Sequence, residues 1–210
     1  MGGGPLAALR NCKGVSAYHN LVREGVNTRG ANGVYWVEVL QERPGGRLLI
    51  ENQDASRKNA VGKHQATDEG DLVFPLCRGR DIARWLVTPK QSIIVPYRPG
   101  KGSKPLSEQV MRREYPLTFA FLNSFRTVLS KRKKFRNFDP ASNAFYEMYD
   151  VGEYTFQPYK VIYKGEVATD LVAAVAPQLH HCGRELPVVP DQTAHCKRRS
   201  RSAALAGREV

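Results

Sequence analysis

The sequence predicts an α+β fold in which mixed sheet strands carry one prominent amphipathic helix. Three observations lead there. Apolar residues alternate at strand spacing in Val34–Leu40 and again in Tyr159–Lys164. Leu117, Phe121, Phe125, Val128 and Leu129 share one face at helical spacing after Tyr115-Pro116. Between these segments, Pro and Gly punctuation cuts the chain into short runs with no internal repeat.

The elements follow in order. Residues 1–24 carry little periodicity and read as a linker or a cut edge. The first strand, Val34–Leu40, is followed by the turn Pro44-Gly45-Gly46 and the run Arg47-Leu48-Leu49-Ile50, a hairpin-like pair. Residues 51–70 are polar and predict a third, exposed strand with loops. Leu72, Val73, Phe74 and Leu76 are apolar, with an expected break at Pro75. Asp81–Leu86 predicts one or two helical turns with Asp81 near the N-terminus. Ser92–Val95 predicts a short strand ending at Pro96, and Arg98–Pro105 a loop. The Tyr115-Pro116 helix places proline in its first turn and runs into Lys131-Arg132-Lys133-Lys134, where cations suit a C-terminus. Phe145–Val151 is aromatic and irregular. Tyr159–Lys164 and Leu171–Ala176 predict further strands. From Gly183 to Val210 no aromatic residue occurs and the stretch reads by composition as a disordered basic tail, with residues 193–210 set outside the recognition domain.

The 210 residues carry 32 Lys plus Arg against 20 Asp plus Glu, a net charge of +12. A surplus of that size favours a polyanionic partner or an anionic surface. Hydrophobic content of 41% is that of a globular chain and argues against disorder throughout. Cys12, Cys77, Cys182 and Cys196 are widely spaced, and Met1-Gly2-Gly3-Gly4-Pro5 does not open a secretory signal. The expectation is a cytoplasmic protein with reduced thiols and no membrane partner.

Several chemistries leave no trace in the sequence. No Asn-Pro-Pro-Tyr motif for methylating an exocyclic amine occurs, and no glycine-rich nucleotide fingerprint is visible. Gly100-Lys101-Gly102-Ser103-Lys104 fails the phosphate-loop spacing. Neither Asp-x-Lys nor Glu-x-Lys is present, so the carboxylate–lysine pairing of metal nucleases is missing. His180, His181, Cys182, His195 and Cys196 have the right chemistry for zinc but lack paired ligand spacing, so neither a metal nor a catalytic residue is assigned.

Basic elements are what remain. Arg78-Gly79-Arg80, with Arg84 following, offers forks for phosphate or guanine; the alternative is a surface turn with an Arg–Asp81 ion pair. Lys131, Arg132, Lys133, Lys134 and Arg136 repel one another unless an anion is near; the alternative is a solvated helix end. Asn27-Thr28-Arg29-Gly30-Ala31-Asn32-Gly33 exposes amides that can read adenine, or is merely the turn into the first strand. Aromatics at Phe145–Tyr149 and Tyr154–Tyr159 suit base stacking, or a core with satisfied hydroxyls.

Read in order, a series emerges. It runs from Gly25-Val26-Asn27-Thr28 and Gly30–Val37 through Val73-Phe74-Pro75-Leu76 and Arg78-Gly79-Arg80-Asp81-Ile82-Ala83-Arg84-Trp85. It continues with Ile93–Tyr97, the Tyr115-Pro116 helix, Phe145-Tyr146, Tyr149–Gly152, Tyr154-Thr155-Phe156 and Pro158-Tyr159-Lys160-Val161. This series resembles the C-terminal specificity region of TaqI-type adenine DNA methyltransferases and of fused restriction–modification (type IIG) proteins, over roughly residues 20–192. The resemblance implies a target-recognition domain over residues 25–192 that binds duplex DNA while the target adenine is flipped out. It places Arg78, Arg80, Arg84 and Lys160 near DNA, with Tyr159 beside them. It assigns S-adenosylmethionine and methyl transfer to a catalytic domain or separate catalytic subunit, so this chain alone holds no cofactor and is not expected to methylate. The pattern stops beyond Pro190-Asp191-Gln192, which reads as truncation or a frameshift. A non-functional remnant and a basic RNA-binding protein are the alternative readings.

Overall fold

The computed structural model describes residues 23–53, 61–99, 104–132, 144–164, 172–176, 178–181 and 184–191. The fold is α+β. Its centre is a mixed six-stranded sheet, flanked by short helices and three two-stranded ribbons.

The chain enters through a single helical turn, α1 (Asn32–Tyr35), and passes directly into β1 (Trp36–Glu42). The apolar run that predicts a strand from Val34 is thus shared between a buried turn and the strand's start. A 310 turn at Pro44–Gly46 reverses the chain into β2 (Leu48–Asn52), and the two strands pair antiparallel. Leu48, Ile50 and Asn52 face inward at the two-residue period of a strand. Asn52 is fully buried and its amide is used completely. It donates to the carbonyls of Gly33 (2.8 Å) and Gly62 (3.1 Å) and accepts from the His64 N–H (2.6 Å).

β3 (Gln65–Asp68) forms one sheet edge against β2. β4 (Val73–Cys77) is buried along its whole length and runs straight through Pro75. The expected break does not occur. β12 (Val189–Pro190) pairs only with Leu76 and Cys77, so on that side Pro75 has no ladder for its missing N–H to break. β7 (Gln91–Ile94) pairs antiparallel with both β4 and β1. The resulting order is β12-β4-β7-β1-β2-β3, with the β12–β4 pair parallel.

Asp81–Leu86 is not helical. A 310 turn at Gly79–Asp81 leads into a small hairpin of β5 (Ile82–Ala83) and β6 (Leu86–Val87). The carboxylate that suggested a helix start instead accepts the Arg78 backbone N–H at 2.9 Å and closes the turn. β8 (Lys160–Tyr163) and β9 (Ala173–Ala176) form a second ribbon, and β10 (Gln178–His181) and β11 (Arg184–Pro187) a third. Part of the stretch from Gly183 onward is therefore ordered: β11, then β12 inside the main sheet. Residues 193–210 lie outside the described residues.

The single helix predicted from Tyr115-Pro116 is two, and an unpredicted third precedes it. α2 (Glu108–Glu114) is capped by the Ser107 hydroxyl, which accepts from the Val110 N–H at 3.3 Å. α3 (Pro116–Ser124) and α4 (Arg126–Ser130) follow, separated at Phe125, whose backbone (φ −102°, ψ 12°) leaves the helical region. Glu69, from the β3–β4 connection, caps α3 by accepting from the backbone N–H groups of Leu117 (2.6 Å) and Thr118 (2.9 Å).

The main core holds Tyr35, Tyr97 and Tyr146 with the phenols satisfied. Tyr35 donates to the Tyr146 carbonyl (2.8 Å), Tyr97 to that of Met148 (2.9 Å) and Tyr146 to that of Leu106 (2.7 Å). A smaller core of Cys77, Ile82, Val87, Ile162, Ala174, Ala176 and Val188 joins β4 to the β5–β6 and β8–β9 ribbons.

Asp68 is buried beneath α3 and accepts the Gly70 N–H at 2.7 Å. Burial pushes its carboxyl from 3.8 to about 6, against the pull of the Gly70 N–H and the Thr118 hydroxyl. Between those values the folded chain holds a proton that the unfolded chain has released. Stability therefore falls as pH rises from about 4 to about 6, by at most about 3 kcal/mol. Thermal melts across this window should show that fall in the wild type and a flatter profile in Asp68→Asn. Identical profiles would refute the assignment.

Candidate nucleic-acid interface

The backbone brings the roots of the predicted basic segments together. The Asp191 N–H donates to the Cys77 carbonyl (2.9 Å), one residue before Arg78. Val26 bridges to Asp191 in parallel, with its N–H on the Pro190 carbonyl at 2.8 Å, and Asn27 exchanges both backbone bonds with Tyr149. The Asn27–Asn32 loop and the Arg78–Val87 turn and hairpin thus leave adjacent rungs of one ladder. Arg132 ties the end of α4 to the same place, since it donates to the Thr28 carbonyl at 3.0 Å.

The side chains divide sharply. Arg80 is exposed, with 65% of its side chain in solvent, and Arg84 is exposed at the hairpin tip. Arg29 is exposed, sits at φ 56°, and stacks on Tyr149 with its guanidinium carbon 3.3 Å from the ring centroid. Lys131 and Tyr159 are also exposed. Asn27 and Asn32 are half-buried and already engaged. The Asn27 side-chain Oδ1 accepts from the Arg29 N–H (2.8 Å), and the Asn32 Oδ1 accepts from the Thr28 hydroxyl. That pattern matches the turn reading of the loop.

Three expected contacts point inward instead. Arg132 is buried and donates to the carbonyls of Leu129 (2.9 Å), Thr28 (3.0 Å) and Phe145 (2.7 Å). Its fork cross-links backbone rather than facing solvent. Lys160 is mostly buried, with its ammonium on the carbonyls of Thr155 (2.6 Å) and Val188 (3.0 Å). Burial lowers its pKa to about 8, which the nearby Cys77 partly counters. Arg78 places its guanidinium carbon 4.8 Å from the Trp36 ring centroid, with 12% of its side chain exposed and its Nε 3.9 Å from the Asp81 carboxylate. Two of its guanidinium nitrogens are buried without a hydrogen-bond partner. Its role is to seat the turn from which Arg80 projects. Lys133, Lys134 and Arg136 lie outside the described residues.

The aromatic cluster Phe145–Tyr149 divides too. Phe145, Tyr146 and Met148 are core residues, whereas Tyr149 offers its face to Arg29. Sequence reasoning missed Trp85. It is 84% exposed and stands at φ 68° between the strands of the hairpin. The signal was present in Arg84-Trp85, but the helical expectation for Asp81–Leu86 hid it.

His180 and His181 lie on β10, while Cys182, His195 and Cys196 fall outside the described residues. Among the described residues, no three His, Cys, Asp or Glu side chains form a metal-holding group. Among them, too, no helix is long and apolar enough to cross a membrane. Comparison with protein-family models and with curated proteins finds no match to the chain.

Proposed function

We propose that the chain binds duplex DNA as the sequence-reading module of an adenine-specific methylation or restriction–modification enzyme. The observation that carries this reading is the Arg78–Val87 element. Its root is hydrogen-bonded with Asp81 buried, Arg80 projects into solvent from the turn there, and its tip presents Arg84 and Trp85 to solvent. A rigid base with an exposed cationic tip suits a side chain that must meet a base edge in a fixed register. The net charge of +12 supplies the long-range attraction. The ordered motif series supports the enzyme context. In that context, methyl transfer and S-adenosylmethionine belong to a catalytic domain elsewhere, and adenine flipping needs this module only as a clamp and reader.

The inward turn of Arg132 and Lys160 leaves fewer cations for phosphate. If Arg29, Arg80, Arg84 and Lys131 each neutralise one, log affinity should fall against log salt with a slope of about −4. Fluorescence anisotropy of a labelled duplex across a salt series reads this directly. Salt-insensitive binding, or a clear preference for RNA, overturns the proposal. Arg80→Ala should relax discrimination among sites if Arg80 touches a base, and weaken all sites equally if it touches phosphate.

A further inference from the structure

We propose that Trp85 is a wedge that stacks into the base ladder of duplex DNA, an inference that rests on the DNA-binding reading above. The argument begins with the turn. β5 and β6 pair through Ala83 and Leu86, so Arg84 and Trp85 form a two-residue connection. Of these two, Trp85 alone has positive φ, at 68°, a position where a turn ordinarily takes glycine. A large aromatic there costs backbone stability. The side chain recovers little of that by burial, because the residue is 84% exposed.

The tip is nevertheless held firmly. The Trp85 N–H donates to the Ala173 carbonyl of β9 at 3.2 Å, and the Thr88 N–H to the Asp81 carbonyl at 3.0 Å. Ile82 and Val87 anchor the hairpin in the smaller core. A rigid mount, a strained residue and an indole in water together describe a group placed for a partner outside the chain. Leu86 (60% exposed) and Val175 (59%) add apolar surface on the adjoining ribbons.

Charge selects the partner. The indole follows the exposed Arg84 in the hairpin turn, and the exposed Arg80 lies in the 310 turn that leads into the same hairpin, on a chain of strongly positive net charge. An apolar wedge with an arginine beside it suits a base step next to its phosphate. An apolar protein partner would leave these arginines facing a desolvated surface. Because the strain lies in the residue itself, removing the indole should relax the fold and weaken the complex together.

The full-length chain tests this. The protein has two tryptophans, and Trp36 is only 7% exposed, so acrylamide quenching reports chiefly on Trp85. Adding duplex should quench the emission and shield it from acrylamide. Trp85→Gly should melt no lower than the wild type, yet bind duplex about tenfold or more weakly, while Trp85→Phe retains most of the affinity. If the wild type binds duplex with salt dependence and Trp85→Gly binds within about twofold of it, the wedge is overturned and the DNA reading stands. A wild type that binds no duplex overturns both. Loss of self-association in Trp85→Gly, with duplex binding unchanged, would assign the indole to a protein contact and equally overturn the wedge.

Discussion

Arg132→Met is expected to destabilise the chain by about 4 kcal/mol, read as a lower urea midpoint. Methionine fills much of the volume but donates nothing. The carbonyls of Leu129, Thr28 and Phe145 then lose a charged donor, and two of these bonds join segments distant in sequence. A charge-assisted hydrogen bond is worth about 1.5–3 kcal/mol, and an orphaned buried carbonyl costs about 1–3. Against a total stability of about 5–15 kcal/mol the loss is large. Arg132→Lys should recover only part of it, since a compact ammonium lacks the planar fork that reaches three carbonyls. If Arg132→Met instead melts like the wild type and binds DNA weakly, the side chain serves phosphate and the structural role assigned here fails.

Gly25→Ala is the second large effect, expected to cost about 3 kcal/mol. A methyl group at Gly25 would lie 2.1 Å from the Asp191 carbonyl oxygen and 2.5 Å from that of Pro190. Both obstacles are backbone, and the strand between them cannot retreat without breaking the Val26 N–H bond to the Pro190 carbonyl. Gly62→Ala is the matched control. An added methyl there meets nothing within 4 Å, so stability should hold or rise by about 0.5 kcal/mol. Thermal melts of the pair check the contrast, and equal melting of Gly25→Ala and the wild type would show that the contact yields.

The elements legible in the sequence were those whose burial has a period. β2 shows its alternation as Leu48, Ile50 and Asn52, and the helical face shows as Phe121 and Leu129. α2 left no such trace because Met111 is its single fully buried side chain. β12 is two residues long and exists only because Leu76 and Cys77 are there to pair with it. Asp81–Leu86 reads as helix in sequence because Asp81 resembles a cap, whereas its carboxylate accepts within the 310 turn that precedes the hairpin.

The site divides on the same principle. A run of cations in sequence reports charge but not the carbonyls that will surround it. Arg132 and Lys160 find theirs on Thr28, Phe145, Thr155 and Val188, and so point inward. Arg80, in the 310 turn, and Arg84, at the hairpin tip, lie in turns and stay exposed.

The parallel rung between β12 and β4 also sets a timetable. Its two strands lie far apart in the chain, and such non-local pairings form slowly. Until Val189 and Pro190 arrive, one flank of β4 at Leu76 and Cys77 is an open strand edge on an apolar strand. A chain emerging from the ribosome passes through that state every time, and the open edge is where a neighbouring nascent chain can add itself. Yield during synthesis is therefore expected to depend on temperature and expression rate more steeply than the finished fold's stability alone would suggest.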